Sequence, residues 1–146
     1  MEKIHYSLGY VFTEDLSKVF LLHIDKPGKL GHGLINGVGG KVDPTEMPLE
    51  SMIREFHEET GQVVAHWNKL GVYTGKDYIV HTYVSMVKEA YLSEYSGSEG
   101  IVRWYDLVEM YYKNNLSSNV ETSVQFALVK FKGKPEVEFQ IDNFLR

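Results

Sequence analysis

Two apolar and aromatic runs open the chain, residues 7–12 and 18–24, with the polar Thr13-Glu14-Asp15 between them. Short runs of this composition around a polar break predict two strands and a hairpin turn. Gly28, Gly31, Gly33, Gly37, Gly39 and Gly40 follow within 13 residues, predicting a loop in which a short apolar piece sits at Leu34 and Ile35. The period then changes. Leu49, Met52, Ile53 and Phe56 recur at helical spacing, predicting a helix over Pro48–Thr60 that stops at Gly61. Residues 63–73 and 78–91 read as longer strands joined by Thr74-Gly75-Lys76-Asp77, and residues 101–105 as another strand beyond a Ser-Gly-rich loop at 93–100. Asp106 with Glu109 has capping-box spacing and starts a short helix reaching about Tyr112; Ser118 with Glu121 repeats it ahead of the stripe Val120, Val124, Ala127, Leu128 and Phe131. The tail, 135–141, alternates weakly and fits either a strand or a flexible arm. Strands interleaved with helices define an α/β fold, and no repeat or linker divides residues 1–146, so a single domain is expected.

Composition narrows the function classes. With 43% apolar and 13% aromatic residues the chain can bury a core, which excludes disorder. Twenty acidic against 15 basic residues give a net charge of −5, without the basic footprint that grips a nucleic-acid polymer. Cysteine is absent, which removes disulfides, thiolate nucleophiles and Cys-ligated metals, and suits a reducing cytoplasm. Neither a signal-like apolar stretch at the N-terminus nor a run near the roughly 18 apolar residues of a membrane span is present. A soluble, unprocessed cytoplasmic protein is therefore expected, with no membrane partner.

Within the central helix, Glu55, Glu58 and Glu59 stand three and four positions apart, so three carboxylates share one face. Like charges at that spacing repel, and a hard divalent cation with oxygen preference reverses the sign of the interaction. Arg54 pairs with Glu50 or Glu58 at i±4 and offsets part of the charge. Glutamate is also a good helix former, so a solvated helix face accounts equally well for the three glutamates taken alone.

The full segment resembles the Nudix box: Gly, five residues, Glu, seven residues, then Arg-Glu-apolar-any-Glu-Glu-any-Gly-apolar. Gly40, Glu46, Arg54, Glu55, Phe56, Glu58, Glu59 and Gly61 match; Gln62, at the last apolar position, departs. Met47 departs too, at a place where relatives often carry a Ser or Thr helix cap. The resemblance is tight over 23 residues. It implies an α/β/α sandwich with a mixed central sheet, and an enzyme that uses magnesium or manganese to hydrolyse a nucleoside diphosphate linked to another group. It assigns metal binding and water activation to Glu55, Glu58 and Glu59, and orientation of those carboxylates to Arg54 with Glu46. Gly40 would bring its backbone to the metal. Glu99, five residues before Trp104, is the candidate carboxylate from a later loop, with Glu94 in reserve.

Asn36-Gly37-Val38-Gly39-Gly40-Lys41-Val42 resembles a run in MutT-type hydrolases that remove oxidised purine nucleoside triphosphates, and it implies that Asn36 reads the base. An asparagine before a glycine turn also needs no ligand. Gly39, Lys41 and Trp104 complete the candidate substrate residues, although an aromatic in a short strand is more often core; Lys26, Lys29 and Lys41 offer positive charge for phosphates or simply solubility, and His32 a minor phosphate contact. The expected function is hydrolysis of a nucleoside triphosphate, with an 8-oxo-dGTP-like purine as candidate, to monophosphate and pyrophosphate by a monomer or homodimer. ADP-ribose, dinucleoside polyphosphates (to which Tyr78 points) and a non-catalytic nucleotide-binding module are the alternatives.

Overall fold

The computed structural model describes residues 2–144. Nine strands form one mixed sheet: β1 (Ile4–Thr13), β2 (Lys18–Ile24), β3 (Ile35–Asn36), β4 (Val38–Lys41), β5 (Asn68–Thr74), β6 (Tyr78–Val87), β7 (Tyr95–Ser96), β8 (Gly100–Asp106) and β9 (Phe139–Ile141). The main order is β7-β8-β2-β1-β6-β5-β9, with β3 paired to β2 and β4 to β1. The β1–β6 and β5–β9 pairs are parallel and the others antiparallel. Three helices, α1 (Pro48–Thr60), α2 (Leu107–Tyr111) and α3 (Val120–Phe131), cover the faces.

Alternation along the strands sorts the apolar side chains into two cores. Tyr10, Phe12, Val19 and Leu21 face α3 and bury Val120, Val124 and Ala127; Val11, Phe20 and Leu22 face α1 and bury Met52 and Phe56. The helices therefore lie on opposite faces of the sheet, as the sandwich expectation requires. Phe56 is fully buried, and truncating such a side chain to alanine costs about 3–5 kcal/mol.

The α1 boundaries agree with the sequence pattern. The Glu50 carboxylate accepts from the Met47 N–H at 2.8 Å, Pro48 occupies the first helical position, and Gly61 ends the helix at φ 69°. The buried face differs: Leu49 is exposed, while Ser51 and Glu59 join Met52 and Phe56 inside. The strand expected over 63–73 starts only at Asn68. Before it the chain wraps the end of α1, with Trp67 donating to the Val64 carbonyl and packing against Phe56. The strand expected over 78–91 ends at Val87, where its partner β1 ends, and a 3₁₀ turn follows at Glu89–Tyr91.

The glycine-rich stretch is not wholly loop, since it carries β3 and β4. The stretch 93–100 contains β7, which pairs with β8 and closes through a Gly97 N–H to Gly100 carbonyl bond. The tail resolves as a strand, β9. Asn119 rather than Ser118 flanks α3 on its N-terminal side, and its side chain is directed to Tyr10 and Asn36 instead of the helix end. Among the described residues no helix is long and apolar enough to cross a membrane.

Candidate active site

The site assembles where α1 crosses the end of β4. Arg54 is its organiser. Its Nε and Nη2 donate to both Glu46 oxygens at 3.1 and 2.6 Å, its Nη1 donates to Glu55 and Glu58 at 3.1 Å, and its Nη2 reaches the Lys41 carbonyl at 3.2 Å. One guanidinium thus ties the loop before α1, the end of β4 and two carboxylates into a fixed arrangement. Arg54 holds the Glu46 carboxyl down to about 2, assisted by the Asp43 N–H.

Glu55 lies directly against Gly40. A Cβ at position 40 would come within 2.4–2.6 Å of the Glu55 carboxylate, so no other residue fits there without moving it. Burial raises the Glu55 carboxyl pKa against the pull of Arg54. Glu59 is more enclosed: it is 6% exposed, and its Oε2 has no hydrogen-bond partner among the described residues. Burial, reinforced by the charges of Glu55 and Glu99, pushes its carboxyl up to about 8, although the Lys29 ammonium and the Gly39 N–H oppose this. Glu99 arrives from the β7–β8 turn, and Lys29 Nζ lies 3.0 Å from its Oε2. The turn is held by the Gly97 N–H to Gly100 carbonyl bond and by this ion pair.

These oxygens fit a hard divalent ion in kind. Glu59 presents an orphaned buried oxygen, and the bare Gly40 leaves backbone and carboxylate in contact. As they stand, no three such side chains among the described residues converge closely enough to hold the ion. Glu58 is drawn to Arg54 and Glu99 to Lys29.

A pocket of about 370 Å³ opens beside the carboxylates. Glu59, Gly40, Gly39, Lys41 and Lys29 line one end, and Asn36 and Asn119 line it further along, between apolar walls that include Leu8, Val80 and Phe144. The Asn36 Oδ1 accepts from the Gly37 N–H at 2.7 Å, the Tyr10 hydroxyl at 3.0 Å and the Asn119 Nδ2 at 3.2 Å. Its acceptor is committed to the protein, leaving its Nδ2 as a donor. Asn119 Nδ2 is likewise spent, on Asn36 and on Tyr10 at 2.9 Å. Asn119 was not among the candidates from sequence; nothing local marks it, since its partners are 83 and 109 positions away.

Trp104 is not in this pocket. Its indole lies across the sheet against Phe20, at 5.1 Å between ring centroids, and donates to the Glu89 and Leu92 carbonyls. An aromatic residue on the α1 face of β8 packs into the second core, away from the Asn36 side. His32 is exposed and lies outside the pocket lining.

A sequence model of the NUDIX domain matches residues 3–125. The chain belongs to the Nudix family of hydrolases. Solved Nudix structures share its fold: a NUDIX hydrolase from Nitrosomonas europaea, at 15% identity, covers 97% of this chain and 79% of its own with a TM-score of 0.79. The MutT protein of Methanosarcina mazei is 21% identical, covering 92% and 96% with a TM-score of 0.67. The NUDIX domain of Shewanella oneidensis NrtR, solved with ADP ribose, is 18% identical, covering 89% of each chain at a TM-score of 0.70. No curated protein matches the sequence significantly. Nudix hydrolases generally use divalent metal ions, in keeping with the all-oxygen donor set built around α1.

Proposed function

We propose that this Nudix protein is a magnesium- or manganese-dependent pyrophosphohydrolase that cleaves a nucleoside triphosphate to monophosphate and pyrophosphate. One observation carries the reading: one cavity is lined both by Glu59, the buried member of the carboxylate group, and by the paired amides of Asn36 and Asn119. Its volume lies within the range of about 300–1,000 Å³ usual for small-molecule sites.

Glu55, Glu58, Glu59 and Glu99 would hold the metal with the Gly40 backbone. A divalent ion held there would supply positive charge to offset the charge that builds on the leaving group. Arg54 keeps Glu55 and Glu58 in register. Water adds to a phosphorus of the α–β anhydride, the bridging P–O bond breaks, and the proton lost by the water passes to one carboxylate of Glu55, Glu58 and Glu99. Lys41 supplies positive charge along the phosphates.

At the other end, Asn36 Nδ2 donates and the Asn119 side-chain oxygen accepts. That pair suits a purine edge carrying a carbonyl beside an N–H, as the O6 and N7–H of an 8-oxoguanine do, whereas the N7 of unmodified guanine is an acceptor. The Tyr78 hydroxyl, which pointed to dinucleoside polyphosphates, instead donates to the Phe144 carbonyl. A panel of 8-oxo-dGTP, dGTP, ATP, ADP-ribose and diadenosine polyphosphate with magnesium tests the reading. The expected result is highest kcat/KM for 8-oxo-dGTP, and preference for ADP-ribose or a dinucleotide overturns it.

A further inference from the structure

The carboxylate cluster contains a cation already. Lys29 Nζ is 3.0 Å from Glu99 Oε2, and Lys29 lines the pocket together with Glu59 and Gly40. One lysine therefore stands beside carboxylates from two elements, paired with Glu99 on the β7–β8 turn and sharing the pocket wall with Glu59 of α1. Its reach is set by backbone. The Lys29 N–H donates to the Lys26 carbonyl at 3.0 Å and its carbonyl accepts from the His32 N–H at 3.1 Å, while the Gly33 N–H bonds back to Ile24 at the end of β2. Lys26, from the same loop, sits farther off, at 3.8 Å from Glu99, and is half exposed.

We infer that Lys29 is an exchangeable counter-ion: it neutralises the carboxylates while the metal is absent, is displaced from Glu99 when a divalent cation arrives, and then lies free at the pocket wall to meet substrate phosphate. The inference rests on the reading of these glutamates as metal ligands. A divalent ion on Glu99 would meet the Lys29 ammonium across one carboxylate, so metal affinity is held down by the repulsion between the two cations or by the cost of moving Lys29 away. A polyphosphate gives the released ammonium a new partner, which couples nucleotide binding to metal binding in the favourable direction. Lys29 also lines the pocket, at the carboxylate end, so the exchange needs only side-chain rotation.

The test is titration of the intact protein with Mn2+ alone, reading free Mn2+ by electron paramagnetic resonance, for wild type, Lys29→Met, Lys29→Arg and Lys26→Met. Lys29→Met is expected to bind Mn2+ about tenfold more tightly than wild type, since it removes a competing charge within ion-pair distance. Lys29→Arg should stay near wild type, and Lys26→Met should shift by less than about twofold because that ammonium is solvated. With nucleotide and saturating Mn2+, Lys29→Met should raise KM with a smaller change in kcat. Tighter metal with weaker substrate is a combination that loss of loop structure does not produce. Should methionine here prevent folding, Lys29→Gln carries the same expectations. Mn2+ affinity that is unchanged or weaker in the neutral variants, or an equal gain in Lys26→Met, overturns the inference. The Mn2+ arm uses no nucleotide, so it stands or falls apart from the choice of substrate, whereas a wild type that binds no Mn2+ defeats both.

Discussion

Gly40 is a position where available space decides which residue is tolerated. Because a Cβ would fall within 2.4–2.6 Å of the Glu55 carboxylate, Gly40→Ala is expected to lower turnover by more than about tenfold, the usual scale for misplacing a positioned catalytic group. The thermal midpoint should move little, and paired kinetics and melting curves check both halves. Glu58→Gln and Glu59→Gln keep helix propensity and remove the carboxylate a divalent ion would take, so each should cut turnover at least about tenfold with an unchanged circular dichroism spectrum. Activity near wild type in both would remove Glu58 and Glu59 from the catalytic machinery. Asn36→Ala should change discrimination between 8-oxo-dGTP and dGTP more than it changes kcat for the better substrate, because an unpaired base edge is penalised selectively. A uniform loss across nucleotides would show that Asn36 only shapes the β3–β4 turn. The glutamates were legible in the sequence because helical spacing alone puts them on one face. The committed acceptor of Asn36 was not legible, because Tyr10 and Asn119 reach it from opposite ends of the chain. Trp104 misled for the matching reason: aromatic character announces burial and stacking alike, and only the strand's facing distinguishes them.

Among the elements, α1 was read to its ends, since period, Pro48 and Gly61 all point the same way. The shorter strands escaped because two to four residues cannot display a period, and in β4 two of four residues are glycine. The same limit made 93–100 read as loop throughout, whereas it holds β7 and the Lys29–Glu99 pair. Hydrogen exchange in the turn 97–100 should therefore be slowed even in excess EDTA, and Glu99→Gln should accelerate it while Glu94→Gln leaves it unchanged. Equal behaviour of the two variants would make Glu99 a bystander. The join between α1 and the preceding loop is testable by pH. The Glu46 carboxyl is held at about 2, below its ordinary 4.5. A depressed carboxyl stabilises the fold fully above the ordinary value and loses that contribution as pH falls toward the depressed one. Glu46→Gln should thus be less stable than wild type by roughly 1–2 kcal/mol at neutral pH, and the gap should close between about pH 4.5 and 2 in thermal melts. A gap independent of pH would mean that Arg54 contributes packing alone.

Over the whole molecule, the sheet separates two jobs. The α1 face supplies a core and the stiff base for the carboxylates, and the α3 face supplies Asn119, which completes the pocket floor. The tail matters to this arrangement: β9 runs beside β5, and Phe144 forms part of the pocket wall next to Tyr73. The α/β class followed from the order of strands and helices and the sandwich from the resemblance to the Nudix box, while the assembly of the pocket from residues 36, 119 and 144 depended on long-range pairing that no window of sequence contains. The central claim, metal-dependent hydrolysis of a nucleoside triphosphate at the α1 carboxylates, is tested most directly by anion-exchange chromatography of 8-oxo-dGTP incubated with the protein in magnesium and, in parallel, in excess EDTA after metal stripping. The account predicts monophosphate and pyrophosphate in equal amounts with magnesium and no product with EDTA. Diphosphate with orthophosphate, or undiminished turnover in EDTA, would contradict it.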